Sequence, residues 1–159
     1  MVALRVNSIA PAESRRGSWR RLIACGLVAG AIINAIEWIA HRVWLDARWN
    51  AAFAALGKTP SFWATFVVAN FGVGIVALWA YHWLSGFYGG GISTAIRTAI
   101  GMWVVFWIVP IAGLQPFGIF PNYLLALVIV VGIADAAMGI LPALWLFDYW
   151  SGSQARMAE

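Results

Sequence analysis

Charge is scarce in this chain, and cysteine and histidine are scarcer still. Asp, Glu, Lys and Arg make up 10% of its 159 residues, whereas a soluble domain carries about 25%. The single cysteine, Cys25, excludes an intrachain disulfide and any metal site built from several thiolates. Glu37 and His41 could offer two metal ligands from one helix face, but no further histidine or cysteine lies near them. We therefore expect no metal, no cofactor and no catalytic residues, and we favour a protein that is not an enzyme.

Apolar residues are correspondingly abundant, at 63% of the chain against about 45–50% in soluble domains. They fall into four blocks, and each supplies the roughly 20 residues that a helix needs to cross the hydrocarbon layer. The blocks predict an all-α fold: a four-helix transmembrane bundle with up-down topology and short loops. We place the spans at about 22–45, 61–84, 92–114 and 122–147, within one membrane domain of residues 19–150.

The segments outside these spans are short. Residues 1–18 are polar and basic and predict a flexible cytoplasmic tail, and residues 151–159 predict a polar C-terminal tail. Between the first two spans, Trp49, Phe53 and Leu56 recur at helical spacing until Gly57 and Pro60 end the pattern. This segment predicts a short amphipathic helix that lies at the membrane interface.

Basic residues predict the orientation. With the N-terminus inside, seven of them fall on the inner side and three on the outer side, which favours cytoplasmic N- and C-termini. Five precede the first span and are interpreted as a topology signal and a contact for anionic lipid, with no nucleic acid as a partner. The inner residues are Arg5, Arg15, Arg16, Arg20, Arg21, Arg97 and Arg156, and the outer ones are Arg42, Arg48 and Lys58.

Polar residues inside the spans need a partner or a function, because a charge at the bilayer centre costs roughly 2.5–3.5 kcal/mol on insertion scales. In the first span they share one arc of roughly 80° at 100° per residue, so they are expected to face the bundle interior. The other spans are expected to add their own polar faces, in the third span Thr94, Arg97, Thr98 and Gly101. The candidate binding or proton-relay cluster is Asn34, Glu37, His41, Asn70, Tyr81, Arg97 and Asp135, in which Arg97 is expected to extend towards Asp135. The candidate helix-packing residues are Gly26, Gly30, Gly74, Gly101, Gly132 and Gly139.

Three interpretations of this cluster stay open. The side chains could bond to one another and only fix helix register, or Glu37 and Asp135 could form a proton or cation pathway. A lipid, a quinone or another apolar ligand could also bind between the Trp-lined helices. A haem held by His41 and His82 is not expected, because the two residues fall in opposite leaflets, roughly 25 Å apart at 1.5 Å per residue.

Residues 33–57 carry a further pattern: Asn34-x-x-Glu37-Trp38, then Trp49, then an Ala-Leu-Gly stop that ends at Gly57. This pattern resembles small bacterial four-span inner-membrane proteins of unknown function. The resemblance implies a multipass protein of the bacterial inner (cytoplasmic) membrane, and it brings no known activity. The leading expectation is a non-enzymatic scaffold or accessory subunit that associates with itself or with a larger membrane complex. The alternative is a small proton- or cation-coupled transporter or channel that uses Glu37 and Asp135.

Overall fold

The structure, a computed structural model, describes residues 12–59 and 63–157. These residues form helices and short turns, with no strand in the described part of the chain. Four helices are long and apolar enough to cross a membrane, and they are called here the first to fourth spans. The all-α four-helix prediction is confirmed, and the chain is a multipass membrane protein. The spans are Ser18–Trp44, Ala64–Tyr88, Ile92–Phe117 and Asn122–Gly152.

Three of the spans change helix type along their length. The first is an α-helix, Ala12–Trp38, that continues as a π-helix, Ile39–Trp44. The third is an α-helix, Ile92–Trp103, then a π-helix, Val104–Ile108, then an α-helix, Val109–Leu114, and a 3₁₀ turn, Gln115–Phe117. The fourth is an α-helix, Asn122–Ala134, then a π-helix, Asp135–Ile140, and an α-helix, Leu141–Met157. The second is one α-helix, Trp63–Tyr88.

A separate short helix, Asp46–Ala55, joins the first two spans and is called here the connecting helix. It ends just before Gly57, whose φ of 64° reverses the chain as a helix C-terminus requires. The prediction of a short helix between these spans is confirmed. The predicted basic tail, residues 1–18, lies outside the described residues up to position 11, and the first helix already includes residues 12–18. The predicted start of the second span at Ser61 also lies outside the described residues.

The first span packs most extensively on the second and also lies against the fourth. Contacts of Gly26 with Ile75 and of Gly30 with Phe71 run in opposite sequence order, so the first two spans are antiparallel. Short connections reverse the chain again at Gly89–Gly91 and at Gly118. The buried core between the spans is apolar, with Leu22, Cys25, Ala29, Ile33, Leu78, Ile140 and Leu144 all at most 2% exposed.

The outside of the bundle is also apolar, as a lipid-facing surface must be. Val43 is 66% exposed, Val68 72% and Ile92 69%. Tryptophans lie on this surface too, among them Trp38 at 60% and Trp145 at 64% exposed. A soluble protein could not expose so much large apolar surface without aggregating, because apolar patches of this extent bind other apolar matter.

The third span buries a different face from the predicted one. Arg97 and Gly101 are exposed, and the Arg97 guanidinium lies over the Tyr88 ring, 5.3 Å from its centroid. The predicted and observed faces are centred roughly 80° apart at 100° per residue. The third span therefore packs against the neighbouring helices through small and flexible side chains, and Arg97 lies outside this contact. The buried face is Thr94, Ala95, Thr98, Ala99 and Met102.

Candidate functional site

The first polar contact lies where the first and second spans cross. A Cβ atom at Gly26 or Gly30 would lie 2.7 or 2.6 Å from a Cα atom of the second span, so only glycine allows this approach. Beyond the crossing, Asn70 Nδ2 donates a 3.1 Å hydrogen bond to Asn34 Oδ1. Asn34 Nδ2 in turn donates to the Gly30 and Val67 carbonyl oxygens at 2.9 and 3.2 Å. The bond from Asn70 to Asn34 and the bond from Asn34 to Val67 join the two helices and fix their register.

One turn further along the first span, Glu37 and His41 lie together. His41 Nε2 is 2.9 Å from Glu37 Oε2, and both side chains are largely buried, at 13% and 14% exposed. The opposite ring nitrogen, His41 Nδ1, accepts a 2.6 Å hydrogen bond from the Trp49 indole N–H. Because indole nitrogen can only donate, Nδ1 carries no proton, and the proton of the neutral imidazole is on Nε2. His41 thus donates to Glu37.

Asp135 completes this site from the fourth span. It is 0% exposed, and neither carboxyl oxygen has a hydrogen-bond partner among the described residues. The carboxyl of Glu37 lies beside that of Asp135, and the Trp107 side chain approaches Glu37 from the third span. Buried carboxyl oxygens are almost always hydrogen-bonded in folded proteins, so an unpartnered pair of them calls for an explanation. We call Glu37, His41 and Asp135 the carboxyl site.

An aromatic cluster covers the carboxyl site at one end of the bundle. Trp49 and Phe53 come from the connecting helix and Phe120 from the turn between the third and fourth spans. The Trp49 ring lies 5.7 Å from the His41 ring and 5.4 Å, edge on, from the Phe120 ring. Phe53 packs against both other rings, at 6.0 and 5.4 Å between centroids. We call Trp49, Phe53 and Phe120 the aromatic cap.

The opposite direction from the carboxyl site is closed by apolar packing. A Cβ atom at Gly139 would lie 2.8 Å from Ile33 Cγ1, so the first and fourth spans touch directly beyond Asp135. Beyond that contact the core residues Cys25, Ala29 and Leu144 are fully buried. Two surface grooves, of about 380 and 350 Å³, lie near the aromatic cap end, and neither is lined by Glu37 or Asp135. The site is therefore largely buried, with Glu37 and His41 still 14% and 13% exposed and with the aromatic cap packed against His41.

A second polar cluster lies at the other end of the bundle. The Tyr81 hydroxyl donates to Asp148 Oδ2. The Gly91 N–H points at both groups, 2.8 Å from the Tyr81 oxygen and 3.0 Å from Asp148 Oδ2. Gly91 has a φ of 109°, which favours glycine, and it directly precedes the third span. The Asp148 carboxylate thus lies at a helix N-terminus, where a negative charge is stabilised.

The predicted seven-residue cluster is therefore divided into separate groups. Asn34 and Asn70 bond to each other, and Glu37, His41 and Asp135 form the carboxyl site. Tyr81 belongs to the cluster at the other end. Arg97 lies over Tyr88 and does not extend to Asp135, because the shifted face of the third span turns it outward. Of the predicted packing glycines, only Gly101 has nothing within 4 Å of its Cβ position, whereas Gly26, Gly30, Gly74, Gly132 and Gly139 are all in close contact.

Sequence reasoning missed four residues that shape these clusters: Trp49, Trp107, Phe120 and Asp148. Trp49 is interpreted from sequence as an interfacial anchor, and nothing in its spacing indicates a bond to His41. Asp148 could have been found, because a carboxylate inside the run Leu146-Phe147-Asp148-Tyr149-Trp150 needs a partner.

Within the described residues, no group of three or more His, Cys, Asp or Glu side chains could hold a metal ion. Comparison with protein-family models, with curated proteins and with solved structures returned no match. The resemblance of residues 33–57 to small four-span bacterial proteins therefore stays a prediction.

Proposed function

We propose that this chain is a small proton-coupled membrane transport protein in which Glu37 and Asp135 form the proton-binding site. The observation that carries the proposal is Asp135, fully buried, with no donor to either carboxyl oxygen among the described residues and with the Glu37 carboxyl as its neighbour, so that the two can hydrogen-bond only when one of them holds a proton. A residue that only joins helices gains nothing from being ionisable, and an asparagine would do the same work without the cost of burying a charge. A group that must take up and release a proton has to be ionisable.

The neighbouring carboxyl supports this reading. Glu37 lies beside Asp135, and two negative charges side by side in a medium of low dielectric constant repel each other strongly. The pair is therefore stable when it holds one proton between its two carboxyls, as other adjacent carboxyl pairs do. His41, with its N–H directed at Glu37, is the group through which such a proton can be exchanged with water.

The closed packing favours a carrier over an open pore. Ile33, Ala29 and Leu144 fill the core on one side of the carboxyl site, and the aromatic cap covers the other. A transport cycle would then open one end at a time.

Reconstitution into liposomes tests the proposal. A pH-sensitive dye is trapped inside, and a potassium diffusion potential drives protons across the membrane. We expect wild-type protein to pass protons and Asp135→Asn and Glu37→Gln to abolish the flux while remaining folded. Asp46→Asn is the matched control, because Asp46 pairs with Arg42 on the exposed surface and its loss should leave the flux unchanged. Wild-type liposomes as tight as protein-free ones would refute the proposal.

A scaffold or accessory subunit is the second candidate. The glycine crossing of the first two spans and the Asn34–Asn70 bond favour it, since both serve packing alone. Association with itself or with a larger complex, and contact of the N-terminal arginines with anionic lipid, belong to this proposal as well. A scaffold would keep its partners and lose only stability in the Asp135→Asn variant.

Location in a bacterial inner membrane with both termini in the cytoplasm is likewise a proposal, and the distribution of basic residues supports it. In that orientation the aromatic cap faces the outside of the cell. The proton would then enter the carboxyl site from the outer face, which is the direction expected of uptake driven by a proton gradient.

A further inference from the structure

We infer that Trp49 is a positioning residue that fixes the protonation pattern of His41 and so directs the histidine proton at Glu37. The inference deepens the proposed function, on which it rests for its purpose. It is carried by three contacts: the bond from the Trp49 indole to His41 Nδ1, the bond between His41 Nε2 and Glu37, and the rings that hold Trp49 in place.

The chemistry of the indole N–H makes this bond directional. A neutral imidazole has one N–H and one bare nitrogen, and the two can exchange. The indole N–H can only donate, so it can bond to the histidine ring only when Nδ1 carries no proton. At 2.6 Å the bond is a close one for two nitrogens. Trp49 thereby selects the form of His41 that carries its proton on Nε2, the nitrogen 2.9 Å from Glu37.

Trp49 can do this because two other rings hold its ring. Phe53, one turn along the connecting helix, and Phe120, from the turn before the fourth span, both pack against it. The indole nitrogen is thus aimed at the histidine by the whole aromatic cap.

His41 can pass a proton from water to Glu37 in one step. After the Trp49 N–H has moved away, a hydronium ion gives its proton to Nδ1 of His41 and is left as water, and the proton on Nε2 passes to the Glu37 carboxylate. The products are a protonated Glu37 and a neutral His41 with its proton on Nδ1. This form cannot accept the Trp49 bond, so the return of Trp49 requires His41 to regain the Nε2–H form. That return occurs when the proton on Nδ1 leaves to water and Nε2 binds another proton from water, and the Trp49 bond then holds His41 in this form.

Nitrogen NMR of histidine-labelled protein in lipid nanodiscs tests the inference directly. The chain has two histidines, and His82, whose ring lies edge on to that of Phe147 in the fourth span, 6.0 Å between centroids, reports whether each variant is folded. Spectra are taken at a series of alkaline pH values, and those in which the nitrogen shifts of both rings show the neutral form are compared. Nitrogen shifts then show directly which ring nitrogen carries the proton.

The Glu37 carboxylate alone also favours a proton on Nε2 of His41. The effect of Trp49 is therefore measured in a variant whose residue 37 favours neither ring nitrogen. In Glu37→Gln the amide can accept or donate, so Trp49 alone would decide. We expect His41 to keep its proton on Nε2 in the wild type and in Glu37→Gln. In the double variant Glu37→Gln with Trp49→Phe, which keeps a ring but loses the N–H, we expect a mixture of both forms. The matched control is Glu37→Gln with Trp79→Phe, a change at an exposed tryptophan, 51% accessible, that should match Glu37→Gln alone.

Two results would overturn the inference. One is a wild-type His41 with its proton on Nδ1, a measurement that needs no variant to fold. The other is an unchanged proton position in the Trp49→Phe double variant. Failure here is distinct from failure of the proposed function: the NMR outcome does not depend on proton flux, and an absence of flux would leave the positioning by Trp49 intact.

Discussion

Replacement of Gly74 by alanine should separate the first and second spans and destabilise the bundle. A Cβ atom at this position would overlap the Gly26 carbonyl oxygen and lie 2.7 Å from the Gly30 nitrogen. Both are backbone atoms of the facing helix, so no side chain can rotate to make room. The helices must move apart along the whole crossing. Gly72, two residues earlier on the same helix, has nothing within 4 Å of its Cβ position and is the matched control.

The size of the effect can be estimated from three contributions. Overpacking of a tight interface costs roughly 1–3 kcal/mol. A gap opened by about 0.5–1 Å loses a quarter to a half of each neighbouring dispersion contact. The Asn34–Asn70 bond next to the crossing is worth about 0.6 kcal/mol if it resembles others measured in membranes. Against this, alanine is favoured over glycine in a helix by about 1 kcal/mol. We expect Gly74→Ala to be about 1–3 kcal/mol less stable than the wild type, and Gly72→Ala to be equal to it or slightly more stable.

Equilibrium unfolding in mixed micelles of a mild detergent and dodecyl sulfate measures the difference. The fluorescence of the tryptophans reports the transition, and both variants are compared with the wild type in one lipid-to-detergent ratio. If Gly74→Ala unfolds at the same dodecyl sulfate fraction as Gly72→Ala, the close crossing of the first two spans is refuted. The antiparallel register built on it would then have to be abandoned as well.

Two further predictions concern the ends of the bundle. Tyr81→Phe removes the hydroxyl between Asp148 and the Gly91 N–H and should cost roughly 1–3 kcal/mol, the range for a bond to a charged group. Tyr88→Phe, at an exposed ring, should cost nothing in the same thermal unfolding assay, and equal losses would count against the cluster. Lys58→Cys should react with a membrane-impermeant maleimide added outside intact cells, because Lys58 is exposed on the side proposed to be external. The native Cys25 is fully buried and gives little background, and labelling only after lysis would reverse the proposed orientation.

The fold was predictable from the sequence because the length and apolar content of each block identify it as a membrane span. Gly26, Gly30 and Asn34 recur every four residues on one helix face, and in the structure Gly26 and Gly30 lie against the second span. The same reasoning failed in the third span, where Arg97 was assigned to the interior. A polar residue near a span end can reach the interface along the outside of the bundle, and sequence spacing does not distinguish this from burial.

The partners of the predicted polar residues were not predictable. Trp49 lies eight residues beyond His41, across the break between the first span and the connecting helix, so helical spacing does not relate the two. Trp107 and Asp135 are brought to Glu37 by the third and fourth spans, and their approach depends on how those helices are rotated. Rotation is set by packing, which a single sequence does not display.

The π-helical segments explain why α-helical spacing in the sequence does not predict the contacts of the carboxyl site. His41 is in the first, Trp107 in the second, and Asp135 begins the third. A π-helix has more residues in each turn than an α-helix, so it changes the direction of every side chain that follows, and such insertions are frequent at functional sites. The π-helix of the first span begins at Ile39, between Glu37 and His41 in the sequence. Three spans depart from α-helical geometry where they approach one carboxyl pair, although the α-helix is the more stable form. The meeting of these three segments at Glu37 and Asp135 favours the proposal that the pair binds a proton.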